Sequence, residues 1–212
     1  MKTAQRILAT SLDLFNEHGE TSVTSVDIAN ELDISPGNLY YHFKGKEVIV
    51  DALFKLHTSQ FNQLVDNADT GSLLIEERFY YLYLLLEKIH LFRFFYRSPM
   101  DLMEKYPYVQ TGLQKLVKRL EAKLSEVMAQ SIAREELKLD RSDLPALVEL
   151  VSLVILQSAQ YYQMKHRLDD QTQIFNTLAL LLNLFMPRLV VSSEHLTNLQ
   201  QTIAEHTFAP SA

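Results

Sequence analysis

Apolar residues recur at helical spacing along almost the whole chain of 212 residues. In the first such segment, at about residues 3–18, Ala4, Leu8, Leu12 and Phe15 lie three or four positions apart, which places them on one face of a helix. The same spacing predicts later helices at about residues 46–67, 73–97, 100–105, 108–137, 143–167, 170–190 and 193–206. No segment alternates apolar and polar residues as a strand does, so the pattern predicts an all-α protein.

Turn and cap signals divide the N-terminal segment into one longer helix and two short ones. The first helix ends at 18–19, His-Gly, since Gly is the usual residue after a helix C-terminus. Thr24, with Asp27 three positions later, predicts a capping box and a second helix of about eight residues. Ser-Pro at 35–36 predicts the N-cap and first residue of a third helix of about seven residues, which ends at Phe43.

A helix followed by two short ones is the arrangement of a helix-turn-helix unit, whose last helix enters the major groove of DNA. In that third helix Leu39 and Phe43 form an apolar side. The opposite side presents three polar tips: Asn38, Tyr41 and His42. Gly37 adds no bulk near the helix start, so the backbone can approach DNA closely. The pattern predicts that this helix contacts double-stranded DNA.

The segments 24–29 (TSVDIA) and 34–47 (ISPGNLYYHFKGKE) resemble the DNA-binding signature of the TetR family of one-component repressors. The resemblance covers about residues 5–52. It implies an all-helical homodimer that binds a palindromic operator and releases it when a small molecule enters the C-terminal domain. One departure is Asp33, at a turn position where the family often has Gly. Because Asp tolerates left-handed backbone better than most residues, we expect the turn to form.

The resemblance also implies which residues contact bases or phosphates: Thr24, Ser25, Ser35, Pro36, Gly37, Asn38, Tyr40, Tyr41, His42 and Lys46. Lys46, at the start of the fourth helix, would hold a phosphate and link the reading head, which is the unit of the first three helices, to the ligand domain. Simpler roles remain open for three of these residues. Thr24 could serve only as an N-cap, Tyr40 could be a packing residue, and His42 could be an ordinary surface histidine.

The net charge of −6 argues against a nucleic-acid partner by itself. Residues 1–57 hold five Lys and Arg against eight Asp and Glu, a local net charge of −3. Non-specific DNA affinity depends on neutralising phosphates, so we expect it to be modest here. The cations Lys2, Arg6, Lys44 and Lys46 are expected on the groove side, which would make the field locally positive.

Residues 67–72 (NADTGS) read as a loop and predict a hinge between two domains. The predicted domains are a DNA-binding domain at 1–50, which the helix 46–67 connects to a ligand-binding and dimerisation domain at 68–212. The resemblance implies a homodimer through the helices at about 143–167 and 170–190. Their apolar stripes, which include Val151 and Leu178, have the area for that contact.

Dense aromatic residues in the second domain predict a pocket for an apolar effector with an anionic head group. The candidate ligand-binding residues are Phe92, Arg93, Phe95, Tyr96, Arg97, Tyr161, Tyr162 and His166. Alternatively, the aromatic side chains simply form the core. Within the family, the opening residues and the segment 34–43 look similar to repressors of polyhydroxyalkanoate or fatty-acid metabolism, which would imply an acyl or acyl-CoA effector.

The sequence contains no pattern for catalysis, a metal or a cofactor. There are no cysteines, one isolated Glu-x-x-His at 87–90, and no phosphate-binding Gly-rich loop. The longest uncharged run, 171–187, carries Gln, Asn and Thr and predicts a buried helix rather than a membrane span. We therefore expect a cytoplasmic, non-enzymatic regulator. The alternatives are a DNA-binding dimer controlled by a protein partner, and a helical carrier or enzyme that retains the N-terminal unit.

Overall fold

The computed structural model describes residues 2–67, 74–165 and 169–208. Within them the chain forms eleven α-helices and no strand, which confirms the all-α prediction. The helices are α1 (Thr3–His18), α2 (Ser25–Glu31), α3 (Pro36–His42), α4 (Lys46–Asn67), α5 (Ile75–Leu91), α6 (Phe94–Arg97), α7 (Pro99–Lys105), α8 (Pro107–Ala133), α9 (Leu144–Lys165), α10 (Asp170–Phe185) and α11 (Ser193–Ala204). A 3-10 turn at Met186–Arg188 follows α10.

Two of the predicted helices end earlier than their apolar pattern suggested. The helix predicted at 73–97 is two helices, because α5 ends at Leu91 and a turn separates it from α6. The helix predicted at 108–137 ends at Ala133, just before Glu135 turns into left-handed backbone with φ 61°. Asn67, the first residue of the predicted hinge at 67–72, ends α4, and residues 68–72 lie outside the described residues.

Packing divides the chain into two compact units. The first contains Met1–Asn62 and Phe92–Gln114, and the second contains Gln63–Leu91 and Lys115–Ala212. The segment 92–114, which the sequence prediction placed in the C-terminal domain, therefore packs with the N-terminal helices.

In the first unit, α6 packs against the end of α1. The rings of Phe15 and Phe94 are 5.3 Å apart, and the Phe94 backbone N–H donates to the side-chain oxygen of Asn16 over 3.1 Å. The Arg97 guanidinium donates to the main-chain oxygen of Asn16. These contacts attach segment 92–97 to the end of α1.

In the second unit, α10 packs on α5 and α9, and its apolar stripe fills the space between them. Val151, Ile155, Leu178 and Leu181 have no exposed surface. Val151 and Leu178, which were predicted to contact a second copy, are therefore core residues within one copy.

Candidate functional site

The second helix begins with the capping box that the sequence predicted. The Thr24 hydroxyl accepts a hydrogen bond from the Asp27 backbone N–H over 3.2 Å. The Asp27 carboxylate accepts in turn from the Thr24 backbone N–H and hydroxyl, over 2.8 Å and 2.7 Å. These bonds hold the pKa of Asp27 below its usual value. Because the hydroxyl proton of Thr24 already points to Asp27, capping is the role that the geometry supports.

The turn between α2 and α3 forms with Asp in the place of Gly. Asp33 adopts φ 53°, in the left-handed region. The backbone N–H of Ile34 then reaches the Ala29 carbonyl over 3.0 Å, which fixes the angle at which α3 leaves α2.

The third helix presents the polar and aromatic side that the sequence predicted. Ser35 caps it by accepting from the Asn38 backbone N–H over 3.1 Å, and Pro36 follows at the first helical position. Leu39 is buried, whereas Tyr40 and Tyr41 are 61% and 82% exposed. Such exposure of two adjacent tyrosines is unusual for a surface without a partner.

The remaining predicted contact residues of this region lie on the same surface. Ser35, Pro36, Gly37, Asn38 and His42 are exposed, and Ser25 is half-buried. A Cβ built on Gly37 would meet nothing closer than the Ser35 hydroxyl at 3.8 Å. The protein itself therefore does not require Gly at position 37, and the open space above the backbone is available to a partner.

Lys46 points into the protein and not into solvent. Its ammonium donates to the carbonyls of Glu20 and Val23, both over 2.7 Å, and lies 2.9 Å from the Glu20 carboxylate. An ammonium has three N–H donors, and these three acceptors use all of them. This geometry gives Lys46 the role of joining α4 to the loop after α1 and does not support a phosphate contact.

Glu20 is the centre of this buried cluster. Besides Lys46, the Lys105 ammonium lies 2.9 Å from its carboxylate, and the Tyr106 hydroxyl donates to it over 2.6 Å. Burial alone would raise the pKa of Glu20, but the bonds from Tyr106, Lys105 and Lys46 outweigh it and keep that pKa low. The cluster thus joins the end of α7 to the loop after α1 and to the first residue of α4.

Several residues predicted to bind a ligand form an aromatic core in the first unit. Phe92 and Phe95 have no exposed surface, and both rings pack on His57 at centroid distances of 4.9 Å and 6.1 Å. The Tyr96 hydroxyl lies 2.7 Å from Nε2 of His57. These side chains therefore play the structural role that was the alternative at the sequence level.

The other predicted ligand residues are not gathered around one space. Arg93 begins α6 and Arg97 bonds to Asn16, both in the first unit. Tyr161, which is exposed, and Tyr162, which is buried, belong to the second unit. His166 lies outside the described residues.

A cavity of about 330 Å³ lies inside the second unit, between α5, α8 and the segment 185–195. Most of its wall is apolar, with side chains such as Phe79, Leu124 and Phe185. Its polar groups include Arg78, Tyr81, Ser131, Glu136 and His195. None of the seven predicted ligand residues that the structure describes lines it. Sequence reasoning missed these polar residues because they are scattered over more than a hundred positions and share no motif.

Helix α9 carries an apolar stripe that its own unit leaves uncovered. Leu150, Leu153, Tyr161 and Met164 are exposed and lie on one face of the helix, and Leu180 is exposed on the neighbouring α10. Within the described residues α9 is the one helix that is long and apolar enough to cross a membrane. An 18-residue stretch of it has a mean hydropathy of 1.4, and 33% of that stretch is buried. Exposed apolar surface of this kind marks a candidate interaction site.

Comparisons with known proteins agree on one family for both parts of the chain. Residues 7–53 match the family model of bacterial regulatory proteins of the tetR family, and residues 57–196 match the TetR model, described as a bacterial transcriptional repressor. No curated protein sequence matches the chain significantly.

Solved structures of regulators share the fold. A TetR-family transcriptional regulator from Marinobacter aquaeolei VT8 is 26% identical, with a TM-score of 0.83 over 97% of this chain and 99% of that one. A transcriptional regulator (TerR/AcrR family) from Aquifex aeolicus VF5 is 20% identical, with a TM-score of 0.63 over 87% and 100% of the chains. A gamma-butyrolactone receptor (ArpA-like protein) is 14% identical, with a TM-score of 0.68 over 96% of each chain. The last two likenesses show the fold alone.

Proposed function

Because this chain belongs to the TetR family of bacterial transcriptional regulators, we propose that it is a cytoplasmic repressor that binds a palindromic operator as a homodimer and releases it when a small effector binds. The observation that carries the DNA-binding part is the exposed surface of α3. Tyr40 and Tyr41 stand out from a short helix whose opposite side is buried, next to the open backbone of Gly37. Aromatic hydroxyls and an accessible helix start suit contacts to phosphates and base edges.

A homodimer is the occupant that we propose for the exposed stripe of α9. One reading helix contacts too few bases for useful specificity, so two are needed about 34–36 Å apart, or further by whole turns of DNA. In a two-fold dimer the same surface patch of each copy contacts that of the other. This arrangement would cover the exposed leucines at 150, 153 and 180.

The cavity of the second unit favours a small molecule over a protein partner as the controlling ligand. A mostly apolar space of about 330 Å³ is within the range of small-molecule sites. Release requires that the effector bind the DNA-incompetent dimer more tightly than the competent one. Helix α4 contributes residues to both units, so we propose that it transmits the change.

A binding selection tests this function. The purified protein is incubated with a library of random DNA duplexes, and the bound fraction is sequenced through several rounds. We expect an inverted repeat whose half-sites are spaced by about one helical turn or more. The assignment of α3 as the reading helix would be contradicted if no sequence were enriched. It would also be contradicted if the Tyr41→Ala and Asn38→Ala variants enriched the same sequences and bound them with unchanged affinity. A catalytic or carrier function would leave such a selection without an enriched site.

A further inference from the structure

The cavity of the second unit has room for a molecule of moderate size. Its volume of about 330 Å³ lies at the lower end of the range of roughly 300–1,000 Å³ that is usual for small-molecule sites. The apolar walls come from α5, α8 and α10, through residues such as Leu82, Leu120 and Phe185. This size and lining suit one medium-length hydrocarbon chain.

Arg78 brings an almost fully buried guanidinium to this apolar space. Its side chain is 11% exposed, and one terminal nitrogen lies 2.7 Å from a Glu136 oxygen and 3.0 Å from the Ser131 hydroxyl. Its Nε–H is buried and has no acceptor among the residues that the structure describes. An unpaired buried donor is unfavourable, so this nitrogen favours a ligand that supplies an acceptor oxygen.

Tyr81 brings a second unpaired donor, one helical turn further along α5. Its hydroxyl is buried and also lacks a partner within the described segments. Burial, together with the charges of Glu126 and Asp66, raises the pKa of Tyr81 to about 12. The phenol is therefore neutral at pH 7 and keeps its proton to donate.

The charges around the cavity favour an anion. The lining carries three permanent cations, Arg78, Lys123 and Arg134, against two carboxylates, Glu76 and Glu136. His195 also lines the space, and its hydrogen bond to Glu76 raises its pKa.

We propose that the effector is a medium-chain monocarboxylate, whose carboxylate accepts hydrogen bonds from Arg78 Nε and the Tyr81 hydroxyl. This inference rests on the proposed function and assigns the chemistry of its effector site. A neutral hydrocarbon would leave both donors unpaired, and an alkylammonium would place a cation against Arg78 and supply no acceptor. The carboxylate satisfies both donors and balances the excess of positive charge.

Calorimetric titration of the full-length protein with decanoate tests this assignment. Decanol and decylammonium serve as ligands with the same chain and a different head. We expect decanoate to bind at least tenfold more tightly than either. Equal binding of the three ligands would overturn the assignment, because it would show that the head group is not recognised.

Variants locate the binding. Tyr81→Phe removes one hydroxyl, and we expect it to weaken decanoate binding by about tenfold or more, the effect of one lost hydrogen bond to a charged group. The double variant Arg78→Met with Glu136→Gln removes the ion pair without leaving a lone buried charge, and should weaken binding more than tenfold. Tyr80→Phe, on the same helix and not part of the lining, is the matched control and should leave binding unchanged. Decanoate binding that is unaffected by both cavity variants would overturn the proposal.

Operator release separates this inference from the proposed function. If the protein binds its operator and decanoate does not bind the protein, the effector assignment fails and the repressor function stands. If decanoate binds through Arg78 and Tyr81 without weakening operator binding, the site stands and the switch fails. If decanoate releases the operator from the wild type and ten times more is needed for Tyr81→Phe, both are supported.

Discussion

Lys46 and Glu20 form a buried ion pair, with 2.9 Å between the ammonium and the carboxylate. The Glu20 side chain is 2% exposed and that of Lys46 is 17% exposed, so water screens the pair only weakly. The same ammonium also binds the main-chain oxygens of Glu20 and Val23. The pair therefore joins the first residue of α4 to the loop between α1 and α2.

We predict that Lys46 matters for stability more than for phosphate binding. Lys46→Met should lower the free energy of unfolding by about 3 kcal/mol, because it removes one partner of a buried carboxylate. Chemical denaturation measures this effect. Anisotropy titrations across a salt series should show an unchanged salt slope for Lys46→Met, whereas Lys44→Met, at an exposed position, should lower the slope by about one. If the salt slope fell only for Lys46→Met, the result would show that Lys46 contacts a phosphate and would contradict this prediction.

The surface of α3 should respond to substitution without loss of the fold. Tyr41→Ala should weaken operator binding by about 1–3 kcal/mol, because the side chain is 82% exposed and makes few internal contacts. Gly37→Ala is the sharper variant, since a methyl group there meets nothing in the free protein but would stand between the helix and DNA. Both variants should melt within about 2 °C of the wild type, as surface changes usually do. Met100→Ala, an exposed apolar residue on α7, is the control for operator binding. Wild-type affinity in both α3 variants would rule out this helix as the DNA contact.

The free energy of unfolding should fall as the pH drops below about 6.5, because of His57. Burial lowers the pKa of His57 to about 3, from a usual value of 6.5. The unfolded chain therefore binds a proton that the folded one excludes, so the stabilisation is complete above pH 6.5 and is lost progressively as the pH falls towards 3. Between pH 8 and pH 5 the loss should be about 2 kcal/mol.

Denaturation curves at pH 5, 6, 7 and 8 measure this dependence. The double variant His57→Phe with Tyr96→Phe keeps an aromatic core and removes both members of the 2.7 Å hydrogen bond, so neither group is left unpaired. It should lose most of the pH dependence in this window. An equally steep dependence in the double variant would mean that other groups cause it.

Dimerisation should depend on the exposed stripe of α9 and not on the buried one of α10. Leu153→Glu should give a folded monomer. Leu153 is 57% exposed in one copy, so the fold tolerates the change, but the introduced carboxylate would lie in the proposed interface. Sedimentation velocity and circular dichroism together check this. Leu56→Glu, at an exposed position of α4, should remain a dimer. Leu178→Glu should fail to fold, since Leu178 has no exposed surface. A dimer of unchanged affinity in Leu153→Glu would place the interface elsewhere.

The sequence by itself determined the first three helices and the exposed side of α3. Thr24, Ser35 and Gly19 act through hydrogen bonds or backbone angles within a few residues, and such local signals can be read directly from the chain. The left-handed turn at Asp33 and the buried side at Leu39 follow from the same local rules.

Only the tertiary structure decided which apolar and charged residues face inward. Val151 and Leu153 are two residues apart on one helix, and periodicity could not tell that the first is core and the second is exposed. The direction of Lys46 and the cavity around Arg78 depend on partners 26 and 53 positions away. Because such contacts form only when distant segments pack together, no local pattern encodes them, and the effector site could not be located from the sequence.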